Sequence, residues 1–367
     1  MKLLLMIDHF GSGGAQTQLV MLACGLKGRG HDISVFTYHR AHDFHRSQLE
    51  DAEITLFDAE YGAGLLGRTK TLAALLKREA FDGVISYLKT PNLLNTLVGT
   101  LRRQKRVVVS ERSSRFNDQN PTVERFRREL HRFADCVVTN SPDHATWLRQ
   151  TFAHLKNKVT VILNGYVVPP LPLTPSIDSP KDLRLIAVGR ITSLKQADLL
   201  IKALTIVNHR RGFIPATTWV GRRDPVGPDH MHAQALDALL ADQPYIASRW
   251  TWAGERRDGA ELIAEHHVLV HPALHEGFAN VLCEALILGR PILAGTVCDH
   301  KLLTGAGSRG GLFDVRSPKE LADQIERFMD LSTHDYTVLC KNARTFAIEN
   351  LSIERLVTEY ETLLVDL

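Results

Sequence analysis

Val167-Val168-Pro169-Pro170-Leu171-Pro172-Leu173-Thr174-Pro175-Ser176-Ile177-Asp178-Ser179-Pro180 divides this sequence in two. Five prolines in fourteen residues fix φ and remove backbone donors, so the stretch builds neither a helix interior nor a central strand. It reads as a linker over residues 169–182. Before it, short apolar runs recur at Leu3–Ile7, Ile33–Phe36, Val84–Ile85, Val107–Val109, Val137–Val138 and Val159–Leu163. Helical spacing fills several of the gaps, as in Thr17–Leu26, Leu72–Lys77 and Arg125–Phe133. After it, the alternation restarts with Leu185–Val188, Thr217–Val220, Val268–Val270 and Ile292–Leu293. Near-continuous apolar strands between helices indicate parallel sheets covered on both faces. The expected fold class is therefore α/β, with two Rossmann-like, doubly wound domains at 1–168 and 183–349 facing a central cleft. A helical end follows, and the last helix, about 350–367, is expected to pack back on the first domain.

The 367 residues suit two domains of ordinary size. With 44% hydrophobic and 23% charged residues, the composition excludes a disordered or fibrous chain. A net charge of +3 excludes a dedicated nucleic-acid binder, so any electropositive role must come from a local patch. The five cysteines, at 24, 136, 283, 298 and 340, form no CxxC pair and read as buried small hydrophobes in a reducing compartment. The apolar run Leu3–Ile7 is shorter than a signal-peptide core and reads as a first strand. No run approaches the length of a membrane span. The expected location is the cytoplasm or the cytoplasmic face of a membrane.

Three segments carry chemistry. The loop Gly11-Ser12-Gly13-Gly14-Ala15-Gln16 follows the first strand and opens a helix, where glycines let the backbone approach a ligand. It fails as a dinucleotide fingerprint, because Gln16 stands where GxGxxG needs glycine, and it lacks the GK[ST] of a Walker A loop. A tight turn is the alternative reading. The second segment runs from His271-Pro272-Ala273-Leu274-His275-Glu276-Gly277-Phe278-Ala279-Asn280 to Glu284-Ala285-Leu286. A strand ends near His271, and a helix is expected from Ala279 to Leu288. Glu276 and Glu284, some eight residues apart, are too distant to share a proton. They suit hydroxyls at two ends of an extended ligand, with the helix N-terminus facing an anionic middle. The plain alternative is one loop acid and one ordinary helix glutamate. The third segment, Val188-Gly189-Arg190-Ile191-Thr192-Ser193-Leu194-Lys195-Gln196, places Arg190 and Lys195 at the carboxyl edge of a sheet. Both suit a diphosphate, and both are also ordinary surface cations.

Together these elements resemble the family-4 retaining glycosyltransferases of the GT-B fold, glycosyl transferases group 1. The resemblance covers nearly the whole chain and includes Ile162-Leu163-Asn164-Gly165 before the linker. It implies that Arg190 and Lys195 neutralise a donor diphosphate and that Glu284 holds ribose hydroxyls. Glu276, with the backbone of Gly277, Phe278, Ala279 and Asn280, would hold the donor sugar. Gly13, Gly14 and Lys89 would lie on the acceptor side. The activity implied is retaining transfer of a hexose or N-acetylhexosamine from a nucleotide diphosphate sugar, expected to be a UDP-sugar, to a glycan or lipid-linked glycan. No Asp-x-Asp occurs, so no metal and no cofactor beyond the nucleotide-sugar co-substrate is expected. Two positions depart from the family pattern. The segment Val84–Asn92 holds Lys89 but no histidine, and the family's lysine is commonly followed by glycine where Gln196 stands here. Rival readings are a UDP-sugar 2-epimerase or hydrolase on the same fold, and a degenerate sugar-nucleotide-binding protein.

Other signals point less far. His267, His271 and His275 recur every fourth residue, but on a strand running into Pro272 that spacing does not converge on zinc. Trp147, Trp219, Trp250 and Trp252 read as core rather than as base-stacking groups. Residues 102–132 carry ten basic against four acidic side chains, with Val123, Phe126, Leu130 and Phe133 as the apolar positions of a basic helix. That segment reads as a solvated helix packed on its domain or as a contact with an anionic membrane. RNA is disfavoured, because no stacking-aromatic motif accompanies the charge.

Overall fold

The computed structural model describes residues 1–11, 13–39, 43–59, 62, 64–112, 120–170 and 177–367. Ser12 of the glycine loop, Arg115 and Asp118 of the basic stretch, and Leu171–Ser176 of the proline-rich stretch lie outside the described residues. The chain forms two units, Met1–Val167 with Leu351–Leu367, and Val168–Asn350.

The first unit is built on seven strands: β1 (Lys2–Met6), β2 (Asp32–Thr37), β3 (Thr55–Asp58), β4 (Gly83–Tyr87), β5 (Val107–Glu111), β6 (Cys136–Thr139) and β7 (Val159–Val161). They form one parallel sheet in the order β3-β2-β1-β4-β5-β6-β7. Leu3 of β1 registers with Ile33 on one side and Gly83 on the other. The second unit carries β8 (Arg184–Val188), β9 (Ala216–Val220), β10 (Trp250–Gly254), β11 (Val268–His271), β12 (Ile292–Gly295) and β13 (Gly310–Phe313). These are also parallel, in the order β10-β9-β8-β11-β12-β13. Leu3, Leu4, Leu5, Val84, Ile85 and Val107–Val109 are buried, as strands covered by helices on both faces require.

The last helix, Ile353–Asp366, belongs to the first unit. Leu356, Val357, Tyr360 and Leu364 are buried in one cluster with Leu3, Leu5, Leu22 and Leu26. Gly25 makes this approach possible, because a Cβ there would sit 2.4 Å from Val357 Cγ2. Arg112 ties the same helix to the sheet. Its guanidinium donates to Tyr87 Oη at 2.5 Å, Tyr360 Oη at 3.0 Å and Asn164 Oδ1 at 2.7 Å. A charged group removed from water needs such a full set of acceptors.

The basic helix runs Pro121–Leu130 and continues into a 3-10 turn, His131–Phe133. Of its apolar positions Leu130 is half-buried and the others face out. Val123, Phe126 and Phe133 are exposed, whereas Glu124 and Arg128 are buried. The reason is electrostatic. Glu111, at the end of β5, receives Arg128 Nε at 3.4 Å and His131 Nε2 at 2.9 Å, with His144 Nε2 at 3.6 Å. These partners turn the charged face of the helix inward.

The tryptophans of the second unit are structural neighbours: Trp219, Trp250 and Trp252 have ring centroids 5.0–6.2 Å apart. The five cysteines form no disulfide among the described residues. No helix among the described residues is long and apolar enough to cross a membrane.

Candidate active site

In the second sheet the winding reverses between β8 and β11, and loops leaving the carboxyl ends of such strands diverge to form a crevice. The loop after β8 carries Gly189–Gln196, and the loop after β11 carries Pro272–Ala279. A backbone hydrogen bond joins them, from Leu274 N–H to Leu194 O at 2.9 Å. That bond sets Lys195, at the end of a 3-10 turn, beside Glu276.

The first loop is held tightly from the β9 side. Gly189 N–H donates to Val220 O at 2.9 Å, Ile191 N–H donates to Arg222 O at 3.0 Å, and Trp219 Nε1–H donates to Gly189 O at 2.9 Å. Gly221 permits this approach, since a Cβ there would lie 1.9 Å from Gly189 O.

Lys195 and Glu276 form a direct ion pair between Nζ and Oε1. His271, the last residue of β11 and fully enclosed, sets Nε2 3.2 Å from the same oxygen. His271 Nε2 forms no hydrogen bond there, and the contact is electrostatic. Burial alone would raise the Glu276 pKa, but the His271 imidazole and the Lys195 ammonium outweigh it and hold the carboxyl at about 2. Burial lowers the His271 pKa. His300 lies behind, its ring 5.5 Å from that of His271, with Nδ1 2.8 Å from Gly295 O. Burial, with His271 as neighbour, brings His300 to about 4. Cys298 Sγ–H donates to the Glu276 carbonyl at 2.8 Å. The Glu276 carboxylate therefore faces Lys195, with the imidazoles of His271 and His300 behind it.

Gly277 bends the chain, and Phe278 and Ala279 are buried beneath the start of the helix Asn280–Ile287. This helix has no side-chain cap at Ala279, so its N-terminal dipole favours negative charge. Glu284 stands one turn along it. Solvent reaches the Glu284 side chain, although protein atoms crowd its carboxyl and burial raises its pKa.

Arg190 does not join the Lys195–Glu276 pair. Its side chain is 61% exposed and lies 3.8 Å from Asp224, which also takes Arg222 at 3.1 Å. Lys89, in the first unit, is paired with Glu124 at 3.1 Å. Gly13 caps the helix Gly14–Gly28, and a Cβ on Gly13 would meet Gln16 Oε1 at 2.3 Å. His275 is exposed, while His267 is buried with Nδ1 accepting from Arg184 N–H at 2.9 Å. Sequence reasoning weighed His271 only as a metal ligand, and passed over Gly221, Asp224 and His300. A histidine ending an apolar strand was the available signal for His271, since side chains there reach the sheet's carboxyl edge.

Gln196 has φ +51° and ψ +50°, the left-handed region that glycine adopts freely, and its Oε1 is buried without a partner. Gln196→Gly is therefore expected to raise stability by about 1 kcal/mol, or about 2–4 °C in the Tm of this unit. Differential scanning calorimetry checks it, and a lower Tm would show the Gln side chain to be stabilising.

Two doubly wound parallel-sheet units are the architecture of the GT-B fold. The family described as Glycosyltransferase Family 4 matches residues 12–168, and Glycosyl transferases group 1 matches residues 182–330. The chain belongs to these family-4, group 1 glycosyltransferases. Solved structures that share its fold include Anabaena Alr3699/HepE in complex with UDP, at 19% identity, 100% coverage of both chains and a TM-score of 0.85. A glycosyltransferase from Rickettsia africae ESF-5 is 17% identical, over 100% of this chain and 98% of that one, with a TM-score of 0.84. The lipopolysaccharide outer core galactosyltransferase WaaB, apo form, is 15% identical over 100% of both, with a TM-score of 0.75. None of the curated proteins compared with the chain matches it.

Proposed function

We propose that this enzyme moves a hexose or N-acetylhexosamine from a UDP-sugar to a glycan or lipid-linked glycan, with retention at the anomeric carbon and without a metal, in the cytoplasm or at its membrane face. The observation that carries this reading is the Lys195–Glu276 pair, set before an uncapped helix N-terminus at the switch point of the second sheet. Similar folds solved in complex with UDP and with UDP-glucose support the choice of nucleotide.

In this reading Lys195 and Arg190 take the donor diphosphate, and Glu284 takes the ribose hydroxyls. The arriving diphosphate draws Lys195 toward it, which frees Glu276 oxygens for the sugar hydroxyls beside the backbone of Gly277–Asn280. The bond from the anomeric carbon to the diphosphate oxygen breaks, and a bond from that carbon to the acceptor oxygen forms on the same face. The acceptor proton passes to a phosphate oxygen of the leaving UDP. Lys195 and Arg190 stabilise the charge that develops there. Gly13, Gly14 and Lys89 belong to the acceptor side.

Calorimetric titration with UDP, GDP, ADP and NAD, without metal and then with EDTA, tests the site. UDP binding that survives EDTA is expected, and binding of NAD alone overturns the reading. Arg190→Ala is expected to weaken UDP by about 1.5–3 kcal/mol, the worth of a charge-assisted contact. Unchanged affinity removes Arg190 from the diphosphate site. Incubating the donor without acceptor separates the rivals, since isomerisation of the sugar would mark an epimerase.

A further inference from the structure

Two contacts converge on one oxygen of Glu276. Lys195 Nζ pairs with Oε1, and His271 Nε2 lies 3.2 Å from the same atom. No hydrogen bond from the described residues reaches Oε2. His271 has no room to swing away. It ends β11, where it registers with Ala294 of β12, and its side chain is 2% exposed. His300 packs edge-on behind it at 72°, itself fixed by the bond from Nδ1 to Gly295 O. Yet His271 Nε2, buried and facing a carboxylate, makes no hydrogen bond. A buried nitrogen left without a partner costs free energy, and its presence asks for a state in which it is paired.

In the proposed reaction, donor binding supplies that state. A diphosphate that takes Lys195 strips Glu276 of the ammonium beside it, and a carboxylate this enclosed is costly to leave without a donor. His271 is already in place. A neutral imidazole with its proton on Nε2 donates to Oε1, whereas one with its proton on Nδ1 offers only a lone pair there. The lysine chain is flexible and follows the phosphate, while an imidazole fixed at a strand end stays. Exchanging Lys195 for His271 on Oε1 keeps the carboxylate oriented and leaves Oε2 for a sugar hydroxyl. We propose that His271 is a positioning residue for sugar transfer, donating from Nε2 to Glu276 Oε1 once the diphosphate has drawn Lys195 away. This rests on the reading that Lys195 takes the diphosphate and Glu276 the sugar.

The test is 1H–15N NMR of the full chain labelled at the histidine ring nitrogens, with the His271 signals identified by their loss in His271→Gln. Lys195→Ala imitates withdrawal of the lysine. It should show His271 protonated at Nε2, with a downfield proton that disappears when Glu276→Ala is added. Absence of that proton, or its survival without Glu276, overturns the proposal. UDP should produce the same signal in the parent protein. A signal in Lys195→Ala but none with UDP would support the contact and overturn instead the placing of the diphosphate on Lys195. In steady-state kinetics His271→Leu is expected to lower kcat about 10–100-fold, the factor that a lost hydrogen bond to a charged group implies, with UDP affinity within about twofold of the parent. His271→Gln keeps an N–H donor at similar reach and should regain most of the loss. Equal losses of kcat and UDP affinity in His271→Leu, or no recovery in His271→Gln, would mark a merely structural role and overturn the proposal.

Discussion

Glu276→Ala should lower sugar transfer about 10²–10³-fold while UDP alone binds as tightly as before, or more tightly. The first half follows from the role proposed for this carboxylate, a contact with the sugar that matters most as charge develops at the anomeric carbon. The second half comes from the geometry. Lys195 is engaged by Glu276, so a diphosphate has to compete with that carboxylate for the ammonium. Removing the carboxylate leaves Lys195 for the phosphate. The site tolerates the loss because His271 is kept uncharged by burial and has no need of an anion. With a pKa of about 2 in the empty site, Glu276 meets the arriving donor as a carboxylate. Lys195→Ala is the complementary variant, and it should lose UDP affinity along with transfer. Steady-state rates alongside UDP titrations read both effects. A parallel loss of UDP binding and transfer in Glu276→Ala would contradict its assignment to the sugar.

Glu111→Ala should destabilise the first unit by about 3–5 kcal/mol, the cost of leaving a buried charge without its partner. Glu111 is enclosed with Arg128, His131 and His144, and Arg128 would remain buried among them. Burial by itself would raise the Glu111 pKa, but the hydrogen bond from His131, the nearby His144 imidazole and the charge of Arg128 lower it well below the ordinary value. The pH dependence follows from that direction. A carboxyl whose folded pKa is depressed stabilises the fold fully above the unfolded pKa, about 4.3, and the contribution fades as pH falls from there toward the folded value. Glu111→Gln should therefore melt lower than the parent at neutral pH and show a shallower loss of stability below about pH 4. Thermal melts of both proteins across acid pH check this. Equal slopes would mean that Glu111 is not the group being titrated.

The strands that could be read from the sequence are mostly central ones. β1, β4, β5, β8 and β11 are covered on both faces, so their residues are apolar in succession. Three strands passed unread, and all three are edges: β3 (Thr55–Asp58), β10 (Trp250–Gly254) and β13 (Gly310–Phe313). An edge strand is only partly covered, so Thr55 and Thr251 can face solvent, and the pairing glycines of β13 carry no apolar signal.

Chemistry divides along a similar line. The block from His271 to Glu284 and the pair Arg190 and Lys195 could be picked out as strand-end residues, because a strand end in an open α/β sheet is where ligands meet the chain. That Lys195 engages Glu276 while Arg190 turns toward Asp224 depends on a backbone bond between loops eighty residues apart. The basic helix shows the limit most clearly, since its apolar spacing argues for burying Phe126 and Phe133. Two parallel α/β units, the segments at the strand ends and the family they indicate are legible along the chain, because they rest on local periodicity and short spacings. Which charges meet and which helix face turns inward is set by packing in three dimensions, because partners such as Glu111 for Arg128 come from other elements, and burial of an ion pair can overrule the hydrophobic stripe of a single helix.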